Sequence, residues 1–428
     1  MATRRRNTRR KNVAAKAVRQ RLAITHLAHQ GDGVSETPTG KIYVPATLPG
    51  ETIEADVIGE RGALIQVFEE AENRIPPPCP SFGSCGGCSL QHMSDESYRA
   101  WKFEQLTKVL QAHHLEPDLM PLITIEKGTR RRATFAAERR GGDLKFGFHG
   151  TKSHQIAAIK NCLILVPAIE QALENLRALA NLIAPKRGTM KVHVLATETG
   201  LDVRLDDYGD WPDFKIERAL MDHTIKAGFA RLSLGGDVLI QAREPILSFG
   251  QARATPAPGA FTQATAHSQN VLAKLVMEAL GERKNILDLF SGIGTFTLQL
   301  AASARVHGVD GDGPAIAALE KAARSTANLK PVTTEKRDLF RRPLLAKELN
   351  KFDAIVLDPP RAGAAVQVDE ICKSDHNTVV YVSCAPASFA RDAQSMIEAG
   401  FKLSRVTPVD QFLFSHHIEL VGVFHKQG

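Results

Sequence analysis

The sequence predicts three parts: a small N-terminal β-barrel, a central α+β region and a C-terminal doubly wound α/β domain. Three observations carry this. Short apolar runs alternate with Gly and Pro turn signals over residues 22–75, hairpin signals mix with a charged amphipathic helix over 95–250, and continuous apolar runs alternate with helical segments from about residue 260. A chain of 428 residues, 43% hydrophobic and 24% charged, can bury a large core divided among two to four domains. Aromatics are only 6%, and no apolar run nears the roughly 18 residues that a spanning helix needs. A membrane protein is therefore not expected, and with no secretory-type apolar core near Met1, neither is export.

Charge is unevenly placed. Nine of the 54 Lys and Arg residues fall in residues 1–21 with no acid among them, leaving 45 bases against 47 acids in the rest. A basic, acid-free leader of this kind reads as a disordered arm attracted to phosphate backbones; a solvated tail that aids solubility and a transit peptide are the blander readings. Residues 22–75 then carry the barrel, with evenly spaced runs such as Gly40–Val44 and Leu64–Val67.

Six cysteines are too few for a disulfide scaffold and suit a reducing compartment. Cys79, Cys85 and Cys88 sit in a Pro- and Gly-rich loop whose thiols and amides can face inward to wrap a ligand. Residues 76–255 form the expected central domain. Its helix begins near Ser94, and its hairpins are expected over Arg130–Arg140 with Leu144–His149, around Gly141-Gly142, and over Val192–Ala196 with Leu201–Leu205. Arg130, Arg131, Arg132 and Lys152 are candidate nucleic-acid backbone contacts, although a solvated charge run is the ordinary reading.

In the last part, 256–428, strand-like Ile286–Phe290, Val306–Asp310, Ala354–Asp358 and Val379–Cys384 alternate with helices, as in a parallel sheet covered on both faces. Ligands of such sheets bind at the carboxyl ends of the strands, which here carry Asp288–Gly294, Asp310, Asp338, Asp358 and Cys384. The Gly292/Gly294 turn has Thr297 where a dinucleotide fingerprint needs its third glycine, while Asp310 follows Asp288 by 22 residues, the distance of a ribose-binding acid. A ligand with a ribose and no phosphate, S-adenosylmethionine, fits that combination. Asp358-Pro-Pro-Arg361 lacks both the aromatic of amino-nitrogen methylases and the cysteine of cytosine-C5 RNA enzymes. Cys384 remains as candidate nucleophile, able as a thiolate to add to C6 of a pyrimidine and activate C5; an inert core cysteine is the alternative. Such a scheme needs a base to remove the C5 proton. Glu419, an acid within an apolar strand, is the candidate, against an edge-strand Glu facing water.

These residues resemble the bacterial RNA uracil-C5 methyltransferases, most closely the branch with a TRAM barrel and an iron–sulfur cluster that modifies 23S ribosomal RNA. The likeness runs through Thr47-Leu-Pro-Gly-Glu51, Arg74-Ile-Pro-Pro-Pro-Cys79, Cys85-Gly-Gly-Cys88, Lys160-Asn-Cys162, Phe261-Thr-Gln263, Leu287-Asp-Leu-Phe290-Ser-Gly-Ile-Gly294, Asp358-Pro-Pro-Arg361, Ser383-Cys384 and His417-Ile-Glu419. It implies an OB-like barrel and a Rossmann-like class I methyltransferase domain. Cys384 is implied as nucleophile and Glu419 as proton acceptor. Gln263, Phe290, Thr295, Asp310, Asp338 and Asp358 are implied as the S-adenosylmethionine pocket, and Cys79, Cys85, Cys88 and Cys162 as ligands of a structural or RNA-positioning [4Fe–4S] cluster, with zinc as the alternative metal. The family usually has Asn where this chain has Thr295 and Ala385, Glu at Asp310, and Pro and Thr at Leu413 and Ser415.

The expected activity is C5-methylation of a uridine in RNA, 23S rRNA first, by a monomeric cytoplasmic enzyme acting on unstacked bases. Methylation of tRNA, a catalytically impaired RNA-binding assembly protein and a redox iron–sulfur protein are the competing readings.

Overall fold

The computed structural model describes residues 16–151, 153 and 155–426. Lys152 and the bases from Arg4 to Lys11 lie outside the described residues. Two compact units divide the rest, one running to Pro78 and including Ser89–Ser97, the other comprising Cys79–Cys88 and the chain from Tyr98 onward. Among the described residues no helix is long and apolar enough to cross a membrane.

The first unit is a six-stranded, mostly antiparallel sheet over a core of Leu22, Ile24, Ile42, Val44, Ile53, Ala55 and Val57. It starts earlier than expected. Val18–Ala23 is already a strand paired with Thr52–Ile58, so Arg19 and Arg21, read as part of a free arm, belong to the sheet, and Arg19 Nε donates to Asp56 at 2.9 Å. Glu51 is wholly buried and accepts from Leu48 N and from Arg74 Nη2, both at 2.8 Å. Burial acts to raise its pKa, but the Arg74 guanidinium and the backbone donors hold it below the usual carboxylate range.

In the second unit, a seven-stranded sheet contains both expected hairpins, Arg132–Arg140 with Asp143–His149 and Met190–Thr197 with Gly200–Asp206. The helix Leu173–Ile183 presents Leu173, Leu176, Leu179 and Ala180 to this sheet's core, beside Phe135, Val192 and Val203. This spacing of apolar residues puts them on one helical face.

The C-terminal sheet has nine strands. Its main elements are β1 (Asn285–Leu289), β2 (Arg305–Asp310), β3 (Val332–Lys336), β4 (Ala354–Leu357), β5 (Thr378–Ser383), β6 (Phe401–Asp410) and β7 (Glu419–Lys426). They lie in the order β3-β2-β1-β4-β5-β7-β6, the first five parallel and β7 antiparallel to both neighbours. Every residue of β4 and β5 is buried, which is why those runs carry no polar alternation. Helices α1 (Asp95–Ala112), α2 (Ala266–Leu280) and α3 (Pro386–Glu398) complete the labelled elements.

One expectation changes. Residues 98–125, assigned from sequence to the central domain, pack with the C-terminal sheet: Leu106, Leu110 and Leu115 share a core with Leu287, Tyr381 and Phe424, and Asp118–Leu119 and Ile123–Thr124 pair with β6. The apolar edge of β6 needs covering, and this returning segment supplies strand partners for it.

Candidate active site

The chain leaves β1 through Phe290, whose φ of +61° is a conformation costly to a bulky residue. At Gly292 φ is +53° and a Cβ would meet nothing within 4 Å, so backbone lies open there. Asp310, at the end of β2, accepts from Gly292 N and Asp312 N, one on each oxygen, at 2.8 Å; each oxygen keeps a lone pair for a ligand hydroxyl. Asp288 is fully buried and accepts from Thr297 Oγ1 at 2.5 Å. Burial, opposed by Thr297 and reinforced by Asp310, raises its pKa to about 7. Among the described residues, the buried oxygens Asp288 Oδ1 and Ser291 Oγ, at the end of β1, and Thr262 Oγ1, in the loop before α2, have no hydrogen-bond partner. Uncompensated polar atoms at the end of β1 fit a polar ligand that is bound there in use; a nucleoside such as that of S-adenosylmethionine supplies such groups.

Register sets the rest. Ser383 pairs with Leu420, so Cys384, one step on, stands opposite Glu419 at the start of β7. β7 is an interior strand, and Glu419 is 3% exposed; the reading of a water-facing edge carboxylate is thereby corrected. The stretch Phe412–Ile418 is loop, so Glu419 is the first residue of its strand. Burial raises the Glu419 pKa to about 7, while Gln411, Arg132 and Arg361 pull it down. Asp358 is raised by burial and then by Glu419, Asp288 and Asp310. Gln263 bridges: its Nε2 donates to Asp358 Oδ2 at 3.2 Å and its Oε1 accepts from Gln411 Nε2 at 2.9 Å.

Cys384 is half-buried among charged groups. Burial, then Glu419 and Asp358, raise its thiol to about 11, opposed by Arg361, which donates to it. Arg361 Nη2 also lies 3.0 Å from His417 Nε2, a ring that burial and neighbouring cations hold neutral near a pKa of about 3 and so leave able to accept. Arg361, which the sequence marks only as the end of the Asp358-Pro-Pro-Arg361 motif, is a cation beside the candidate nucleophile.

Ala385 is the N-cap of α3 and offers no side-chain acceptor; Ser383 Oγ accepts Ala385 N at 3.1 Å instead. Its extended backbone suits a capping side chain, so Ala385→Asn is expected to stabilise the chain by about 1 kcal/mol. Urea denaturation checks this, and a loss of stability would show that the site rejects the larger side chain.

Asp338 is exposed, its Oδ1 accepting from Phe340 N and Arg341 N of its own turn, and its backbone lies beside Gly311, the residue after Asp310. Thr295 is half-buried in the turn after β1, its carbonyl accepting Gln299 Nε2 at 3.0 Å. The Arg130–Arg132 run is not a solvated strip. Arg131 is buried, donating to Gln263 O at 3.1 Å and Gln269 Oε1 at 2.8 Å, and Arg132 lies over the Phe261 ring at 4.6 Å while feeling Glu419 and Cys384. These arginines brace the site. Nothing in the sequence separated them from ordinary surface charge.

The cysteine loop places its thiols within electrostatic reach of one another. Burial raises Cys85 and Cys162, each raised further by Cys79, and Arg130 feels both Cys162 and Cys88. Among the described residues, however, no three His, Cys, Asp or Glu side chains converge to hold a metal ion. The arrangement therefore does not support the expected cluster, and no chemical step below runs through one.

The parallel sheet with a reversed β7, and acids ending its strands around a Gly turn, define an S-adenosylmethionine-dependent methyltransferase fold. The structure of Pyrococcus abyssi tRNA (uracil-54, C5)-methyltransferase in complex with S-adenosyl-L-homocysteine shares the fold at a TM-score of 0.73 and 22% identity, covering 95% of this chain and 100% of that one. Residues 252–427 match the family model tRNA (Uracil-5-)-methyltransferase. An uncharacterised RNA methyltransferase of Rhizobium meliloti is 42% identical over 95% of this chain and 99% of its own length. The 23S rRNA (uracil(1939)-C(5))-methyltransferase RlmD of Vibrio vulnificus is 28% identical over 97% and 98%. The chain belongs to the RNA (uracil-5-)-methyltransferase family.

Proposed function

We propose that this enzyme methylates C5 of a uridine in RNA through a covalent bond between Cys384 and C6. The observation that carries the reading is the meeting of Cys384, Arg361, Asp358 and Glu419 at adjoining strand ends. Cys384 Sγ adds to C6, and the C5=C6 electrons move onto C5, delocalised to the C4 carbonyl. C5 then takes the methyl group from the sulfonium of S-adenosylmethionine, whose carbon–sulfur electrons stay on sulfur. Glu419 removes the C5 proton, the double bond re-forms, and Cys384 leaves as thiolate. Burial beside two carboxylates raises the thiol's pKa, and Arg361, the α3 N-terminus and the charge of a bound sulfonium together oppose that rise and favour the thiolate, whose proton passes to solvent before the addition.

Glu419 must be ionised to accept the proton. With its pKa raised to about 7, breakdown of the adduct is expected to rise with pH, level off above that value and fall about tenfold per unit below it. Glu419→Gln removes the acceptor, and the methylated adduct should accumulate as a gel-stable RNA–protein band. Normal product release by that variant, with no adduct, would remove Glu419 from the role.

For substrate we favour 23S rRNA over tRNA, supported by the full-length likeness to the Vibrio enzyme. The reading includes a TRAM barrel formed by the N-terminal sheet, and a monomer working in the cytoplasm. A [4Fe–4S] cluster on Cys79, Cys85, Cys88 and Cys162 rests on loop spacing and shared electrostatics, against their lack of convergence. Mapping 5-methyluridine in ribosomal and transfer RNA from strains with and without the gene tests the substrate. Iron and labile sulfide in anaerobically purified protein test the cluster.

A further inference from the structure

Gln411, one residue beyond β6, has every hydrogen-bonding capacity of its amide engaged. Nε2 donates to Glu419 Oε2 at 2.5 Å and to Gln263 Oε1 at 2.9 Å. Oε1 accepts from Ala264 N at 3.1 Å and Ser268 Oγ at 2.8 Å, at the entrance to α2. The residue is 4% exposed. Turning the amide over would set its NH2 against the Ala264 N–H and its oxygen against the Glu419 carboxylate, so the orientation is forced. Toward Glu419 it can therefore act only as a donor.

A fixed donor favours the ionised carboxylate over the protonated acid, because a charged oxygen accepts an N–H more strongly than the neutral carbonyl of the acid does. Gln263 stands in the same relation to Asp358, so two linked amides each serve one of two buried carboxylates. Resting on the assignment of Glu419 as proton acceptor, we propose that Gln411 is the positioning residue that keeps Glu419 oriented and ionised for removal of the C5 proton. Neighbouring Asp410 is turned to a separate task, binding Lys102 and Tyr98. Consecutive residues thus secure opposite sides of the same strand end.

The test uses the full chain, total ribosomal RNA from a strain lacking the gene, and S-adenosylmethionine with a tritiated methyl group. Single-turnover formation and breakdown of the methylated adduct are followed across pH for wild type, Gln411→Met and Gln411→Asn. Met keeps the volume without the donor; Asn keeps the amide but shortens its reach, and carries the test if the Met variant does not fold. Expected are adduct formation within about twofold of wild type and a breakdown midpoint raised by about one unit, which slows breakdown about fivefold at pH 7 and about tenfold at pH 6 and below. An unmoved midpoint, or formation falling in step with breakdown, would overturn the proposal and leave Gln411 as packing. Glu419→Gln run in parallel separates the two claims: if it stalls and the Gln411 variants do not, only this inference fails, whereas normal breakdown by Glu419→Gln removes the reading beneath it.

Discussion

Cys384→Ala is expected to lower methyl transfer to RNA at least about 10⁴-fold, because the carbon that must attack has no electron density to give until sulfur has added next to it. The change removes one half-buried sulfur at the end of β5. Binding of S-adenosylhomocysteine, measured by calorimetry, should stay within about twofold of wild type, since its neutral thioether sulfur offers no sulfonium charge for the thiolate to complement. Methyl incorporation and ligand binding together separate lost chemistry from lost structure. Residual transfer above about 1% of wild type would show that another group forms the bond.

The second large effect lies in the buried clamp behind Glu419. Lys102 and Asp410 are almost wholly enclosed and joined by an ion pair. Lys102 also donates to Phe412 O at 3.2 Å and His417 O at 2.7 Å, while Tyr98 OH donates to Asp410 Oδ2 at 2.6 Å and accepts from Phe414 N at 2.9 Å. One turn of α1 therefore fixes the loop that delivers His417 and Glu419. Burial pulls the Lys102 pKa down, and Asp410 pushes back. Lys102→Met leaves Asp410 buried without its cation and is expected to cost about 3–5 kcal/mol of stability. Adding Asp410→Asn should recover more than half of that loss, because no uncompensated charge then remains. Denaturant unfolding of the two single variants and the double variant measures this; a single-variant cost below about 1 kcal/mol would mean that water already reaches the pair.

The parallel strands were legible because they are buried on both faces: Ile286–Leu289, Ala354–Leu357 and Val379–Val382 are unbroken apolar runs apart from Asp288, and the residues ending them announce themselves as chemistry. The hairpins at Gly141 and Gly200 were legible from turn residues that adopt φ of +65° and +131°. What escaped were relations between distant segments. Tyr98 and Asp410 are 312 residues apart in the chain, and no local pattern links them, so the sequence places α1 in the central region. Arg131, Arg132 and Arg361 look in sequence like any solvated cations, and only packing shows that two of them face Glu419 and Cys384. Gln411 carries no periodic or compositional mark at all. For the cysteines, spacing told which thiols could meet but not how closely they do.

The account depends on sulfur bonding to the pyrimidine before methyl transfer, and RNA transcribed with 5-fluorouridine interrogates that step directly. Fluorine at C5 cannot leave as a cation, so once C5 has been methylated Glu419 has nothing to remove and the adduct is trapped. Wild-type enzyme incubated with this RNA and S-adenosylmethionine, digested and examined by mass spectrometry, should yield a peptide in which Cys384 carries a methylated fluorouridine nucleotide. Recovery of that peptide unmodified, with fluorouridine methylated and released or the nucleotide attached to a different residue, would contradict the account.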